Sequence, residues 1–141
     1  MERHLQIAMK TKTILSGFLR LVAAVILLQT LYFKFMGQPE SIYIFSKVGM
    51  EPWGRIGSGV AELLASILLL VPATIVIGAF LAAGIMVGAL AAHLFILGIE
   101  VRGDGGQLFV YALVVLIASI VLLFVHFQQL ISFKKRFLKS H

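Results

Sequence analysis

The sequence predicts an all-α protein, a four-helix transmembrane bundle, and three observations carry that prediction. Of the 141 residues, 60% are hydrophobic and only 13% are charged, too few polar groups to cover a water-soluble globule of this size. Asp, Glu, Lys and Arg are absent from Leu63 to Ile99 and again from Gly105 to Phe133, runs of 37 and 29 residues, where one helical crossing needs about 20. The mean hydropathy of +1.04 agrees. With no cysteine in the chain, a disulfide framework, thiolate zinc ligation and iron–sulfur clusters are excluded.

Residues 1–12 read as a basic cytoplasmic head, residues 13–128 as one membrane domain, and residues 129–141 as a basic cytoplasmic tail. The first span is expected at about 13–35. Its apolar run is longer than a signal-peptide core and no small-residue cleavage site precedes Lys34, so it is expected to be retained. Arg20 and Lys34 lie 14 residues apart and so fall within about 40° of one helix face. Ala23, Ala24, Leu27 and Leu31 lie between them. In the connection that follows, Pro39 opens a short amphipathic helix of Ile42, Ile44, Phe45 and Val48 against Glu40, Ser41, Ser46 and Lys47, closed by Gly49. Tyr43 and Trp53 suit the headgroup layer.

The second span, about 55–71, carries Glu62 in its middle. A charge at the centre of a bilayer costs roughly 3 kcal/mol on insertion scales, so Glu62 must be protonated, paired or facing a wet cavity. Ser58, Glu62 and Ser66 share one helical face, beside a row of small residues, Gly57, Ala61 and Ala65. Proline at position 72 ends this helix. The third span, about 74–97, places Ala82, Met86, Ala89 and His93 on one face and contains the pair Gly84 and Gly88, assigned to packing inside the bundle. Residues 98–106 are the next connection, and the fourth span covers about 108–127. In the tail, Phe133 and Phe137 are expected to rest on headgroups.

Eight of the twelve lysines and arginines lie on one side if both termini are cytoplasmic, and Lys34, Lys47, Arg55 and Arg102 lie on the other. This asymmetry predicts an up-down bundle with N-in, C-in topology. The net charge of +6 then reflects topology and an anionic inner leaflet, and nucleic acid is excluded as a partner because the cations flank spans instead of forming a basic domain.

Depth sorts the remaining polar groups. Glu62 falls about 11–13 Å below the outer surface, and Gln29, Tyr32, Lys34, His93, Gln107 and Tyr111 fall in the outer half. The expected site is an outward-opening polar pocket of Tyr32, Lys34, Glu62, His93 and Tyr111. Glu62 and His93 are its candidate catalytic groups, and Lys34, Tyr32, Tyr111, Arg20 and Gln29 its candidate ligand-binding groups. Each has a plainer role: Lys34 can snorkel to the headgroups. Arg20 can reach the inner interface or lean toward Glu62, Glu62 can be a neutral acid bonded to Ser58 or Gln29, and His93 can be a packing histidine. No metal site is expected, and His93 and His126 lie at opposite faces, which excludes a shared haem.

Arg20, Lys34, Pro39-Glu40, Phe45 to Gly49, Glu62 followed by Leu68-Leu69-Leu70, His93 and Gly105-Gly106 stand in an order and spacing that resembles the DoxX family of small four-helix membrane proteins, over about Leu19 to Leu123. The resemblance implies a multi-pass protein of the bacterial inner membrane and, in some members, a small membrane subunit of a thiosulfate:quinone oxidoreductase. Family members often carry an aromatic and an acidic residue after the Gly-Gly pair, whereas Gln107 and Leu108 follow here. Two functions remain open. One is an accessory subunit of a quinone-linked oxidoreductase, not catalytic on its own, with no covalently bound cofactor and a quinone docked in the pocket. The other is a non-catalytic protein of membrane assembly, lipid handling or small-solute transport, in which Glu62 is a structural pair. Both admit a partner subunit or a homo-oligomer in the lipid bilayer.

Overall fold

The computed structural model describes residues 1–140, apart from the side chains of Gln129, Ser132 and Phe133, so the expected placement of the Phe133 ring lies outside the described residues. Among those residues all the regular structure is helical: α1 (Glu2–Phe35), α2 (Pro39–Val48), α3 (Trp53–Leu70), α4 (Ile75–Ala92), α5 (Gln107–Val125) and α6 (Phe127–Lys139). A 3-10 turn at Pro72–Thr74 precedes α4 and a π turn at His93–Leu97 extends it. Four helical stretches, Glu2–Phe35, Trp53–Leu70, Pro72–Leu97 and Gln107–Val125, are long and apolar enough to cross a bilayer.

Two boundaries differ from the sequence reading. The basic head is the first part of α1 itself, because Glu, Arg, Leu, Gln, Ala, Met and Lys propagate a helix and nothing between Glu2 and Thr13 breaks it. The tail is a separate helix: the backbone leaves the helical region at His126 (φ −103°, ψ 15°) and re-enters it at Phe127. The short helix after Pro39 forms as expected. Gly49 ends it at φ 81°, a left-handed conformation that glycine takes without steric cost, while the amide of Met50 donates to the Phe45 carbonyl at 2.8 Å.

Helix α1 packs on α3 and α5, and α4 packs on the same two helices. The core between them is built from Ala23 and Leu27, Ala65 and Leu69, Ala79, Ala82 and Met86, and Val115, Ala118 and Leu122. Alanines at these positions let the helices approach closely. Backbone meets backbone closely at Gly78, where a Cβ would stand 2.6 Å from the Leu69 nitrogen and 2.8 Å from the Leu68 carbonyl carbon. Gly84 and Gly88 are exposed, and a Cβ on either would meet nothing within 4 Å. Their assignment to packing inside the bundle is therefore corrected. Helix α4 is apolar on every side, and its pattern does not reveal which glycine faces a neighbour.

The end of α3 explains Arg20. Proline at 72 has no amide hydrogen for the Leu68 carbonyl, and the Thr74 hydroxyl donates to that carbonyl instead, at 2.8 Å. Arg20 reaches across from α1 and donates through Nε to the Leu69 carbonyl at 2.6 Å and through Nη2 to the Leu70 carbonyl at 2.8 Å. A cation on these carbonyls also complements the helix dipole. Arg20→Met is expected to destabilise the fold by about 1–2 kcal/mol, read as a lower midpoint of thermal unfolding in detergent, with Arg20→Lys recovering part of the loss.

Candidate functional site: a buried ion pair between α1 and α3

Glu62 is 3% exposed and lies on the buried stripe of α3 formed by Arg55, Gly59, Glu62, Ala65, Ser66 and Leu69. Its carboxylate is met by two residues of α1, one turn apart. Lys34 Nζ donates to Oε1 in an ion pair, and the Thr30 hydroxyl, 2.8 Å from both Oε2 and the Leu27 carbonyl, shares its one hydrogen between them. Thr30 and Lys34 are i and i+4, the spacing that presents two side chains on one helix face. Both carboxylate oxygens are thus engaged across a single interface.

A second cation completes the arrangement. Arg55, on the same face of α3 two turns toward its N-terminus, donates from Nη1 to the main-chain carbonyl of Lys34, one of the carbonyls at the end of α1 that has no i+4 amide. Glu51 holds that guanidinium, accepting from Nε at 2.9 Å through both oxygens and lying 2.8 Å from Nη2. Lys34 Nζ also stands 5.9 Å from the centroid of the Phe45 ring, on α2. The end of α1 is therefore fixed by two ion pairs, Glu51–Arg55 and Lys34–Glu62, joined through the Lys34 main-chain carbonyl that accepts from Arg55.

No protein-family model, curated protein or solved structure matches this chain.

Of the residues singled out from the sequence, Lys34 and Glu62 are brought together and the others are placed elsewhere. Tyr32 is 59% exposed and makes an edge contact with Phe33 at 5.6 Å. Gln29 is exposed and is not among the partners of Glu62. Arg20 is occupied at the far end of α3. The Tyr111 hydroxyl accepts from Gln107 Nε2 at 2.7 Å, one turn along the same helix. The Ser58 hydroxyl donates to the Arg55 carbonyl, and that of Ser66 to the Glu62 carbonyl, so neither reaches the Glu62 carboxylate. Thr30, Arg55 and Glu51 were not singled out. Their signals were the i, i+4 pairs Thr30/Lys34 and Glu51/Arg55, which spacing alone does not distinguish from ordinary helix-surface pairs.

His93 is buried at the start of the π turn. Nδ1 lies 2.9 Å from the Gly98 carbonyl, an acceptor only, so Nδ1 carries the hydrogen. The Gly98 amide returns a bond to the His93 carbonyl at 2.7 Å, and the ring meets Phe109 edge-on at 5.8 Å. His93 thus locks the exit of its helix to the loop that follows. Within that loop Asp104 accepts amides from Val101 at 2.9 Å, Gly106 at 2.8 Å and Leu108 at 3.2 Å, capping α5, whose preceding residue Gly106 sits at φ 84°.

Burial opposes ionisation of Asp104, but the three amide bonds and the charge of nearby His93 outweigh it and hold its pKa below the usual 3.8. The cap therefore contributes fully above pH 3.8 and is lost as the pH falls through the lower folded value. Asp104→Ala is expected to cost about 1 kcal/mol near neutrality and to flatten the acid limb of stability against pH, followed by thermal unfolding in detergent.

Among the described residues no three of His, Asp and Glu gather closely enough to hold a metal ion. A quinone headgroup needs donors aimed at its two carbonyl oxygens. Here Tyr32 faces outward, Tyr111 is bonded within its own helix, His93 Nδ1 is committed to Gly98 and both Glu62 oxygens are engaged. These residues do not converge on a quinone, and no chemical step through one follows from them. What the cluster does is join α1 to α3 by an ion pair and a hydroxyl bond in an apolar setting, where both are stronger than in water.

Proposed function

We propose that this chain is a DoxX-like integral membrane protein, an accessory subunit that is not catalytic alone and in which Lys34 and Glu62 form a structural pair. The reading rests on one observation: Glu62, mid-way along an apolar helix, has both oxygens satisfied from within the chain. In this reading the four long helices alternate in direction across a bacterial inner membrane with both termini inside, as the distribution of Lys and Arg favours. The loops carrying Glu51 and Asp104 face outward, together with α2. Redox chemistry, in the quinone-linked complex that the DoxX resemblance implies, belongs to a partner subunit. The chain's own part is assembly and anchoring.

Glu62→Gln tests this. As a structural pair, the variant loses stability, by about 2 kcal/mol, and the detergent-extracted wild-type protein yields no quinone on organic extraction and absorbance scanning. A variant as stable as wild type that has lost a quinone copurifying with the wild-type chain would reverse the assignment and make Glu62 a functional acid.

A further inference from the structure

Helix α1 has 34 residues, about 51 Å of helix at 1.5 Å per residue, against a hydrocarbon thickness of about 30 Å. Its first turns therefore extend beyond the apolar layer. The Ser16 hydroxyl and His126 Nε2 are 2.6 Å apart, so α6 starts at the level where α1 emerges. Lys12 and Arg20 are the charged groups facing His126 there. Residues 1–16 and 126–140 together carry seven lysines and arginines against one acid, Glu2.

Helix α6 places three of its four cations on one face. Phe127, Leu130 and Leu138 fall within an arc of about 80°, which Lys134 shares, and Lys135, Arg136 and Lys139 fill the adjoining arc of about 100°. The helix packs against α4 and α5, yet Leu130 remains 50% and Leu138 66% exposed, and the three cations are exposed as well. An apolar arc left open beside a cationic one is what an interfacial helix presents to lipid.

We propose that α6 docks on an anionic phospholipid surface, Lys135, Arg136 and Lys139 meeting the phosphate-bearing headgroups while Phe127, Leu130 and Leu138 enter the acyl boundary. The Ser16–His126 contact sets the depth at which the helix leaves the bundle. The proposal rests on the reading that the four long helices cross the bilayer.

The chain has no cysteine, so Leu138→Cys accepts a single environment-sensitive fluorophore. The labelled full chain is reconstituted into phosphatidylcholine vesicles with and without phosphatidylglycerol. The expected result is a blue-shifted, brighter emission only with phosphatidylglycerol, and a loss of that response by more than roughly tenfold in surface partition when Lys135, Arg136 and Lys139 are all changed to Gln. Equal emission in both lipids, or a response unaltered by the triple change, overturns the proposal while flotation of the chain with the vesicles keeps the spanning reading. Failure to float with either vesicle overturns the spanning reading and this proposal with it.

Discussion

Lys34→Met is expected to lower the unfolding free energy by about 3–5 kcal/mol, because it leaves the Glu62 carboxylate buried with, among the described residues, only the Thr30 hydroxyl as donor. The companion change is as informative. Adding Glu62→Leu to the same chain removes the uncompensated acid, and most of the lost stability is expected to return, since an apolar pair of similar volume commonly replaces a buried ion pair with little penalty. A double-mutant cycle, measured by reversible unfolding in mixed micelles, isolates the coupling. A single-mutant loss under about 1 kcal/mol would show that the pair does not secure the α1–α3 interface. Thr30→Val in the wild-type background is expected to cost less, because Lys34 remains in place.

Gly78→Val is expected to destabilise by about 3 kcal/mol or to prevent assembly of the bundle. A Cβ at this position meets the backbone of α3, at 2.6 Å from the Leu69 nitrogen, and backbone cannot rotate aside as a side chain can. Relief requires α3 and α4 to separate next to the turn at Pro72–Thr74, which also carries the Thr74 bond to the Leu68 carbonyl. Gly84→Ala is the matched control. It points into open space, and is expected to be neutral or to stabilise by up to about 1 kcal/mol through helix propensity. Equal effects at the two positions, compared by thermal unfolding in one detergent, would contradict the packing described here.

The uneven legibility of this chain follows from the kind of information each feature carries. Four long apolar helices were readable because a run of 37 uncharged residues is a local property of the chain. The α2 boundaries were readable because Pro39 and Gly49 act on their own backbone. The separate helix α6 was not, since its break lies at His126, a residue type with no strong preference for ending helices. Gly78 and Gly84 belong to one uniformly apolar helix, and only the placement of α3 distinguishes them.

The sequence by itself determined that Glu62 must be protonated, paired or facing a wet cavity, because an uncompensated charge in the middle of an apolar helix is costly wherever that helix packs. It also placed Lys34 on a helix that could supply a partner. Tertiary structure alone decided that Lys34 and Thr30 take the two oxygens, that Arg20 serves the carbonyls at the end of α3, and that Tyr32, Tyr111 and His93 do not join them. The reason is geometric: helical periodicity fixes which residues share a face, whereas the rotation and axial offset of one helix against another fix which faces meet, and those come from packing Ala23, Ala65, Ala82 and Ala118 into one core.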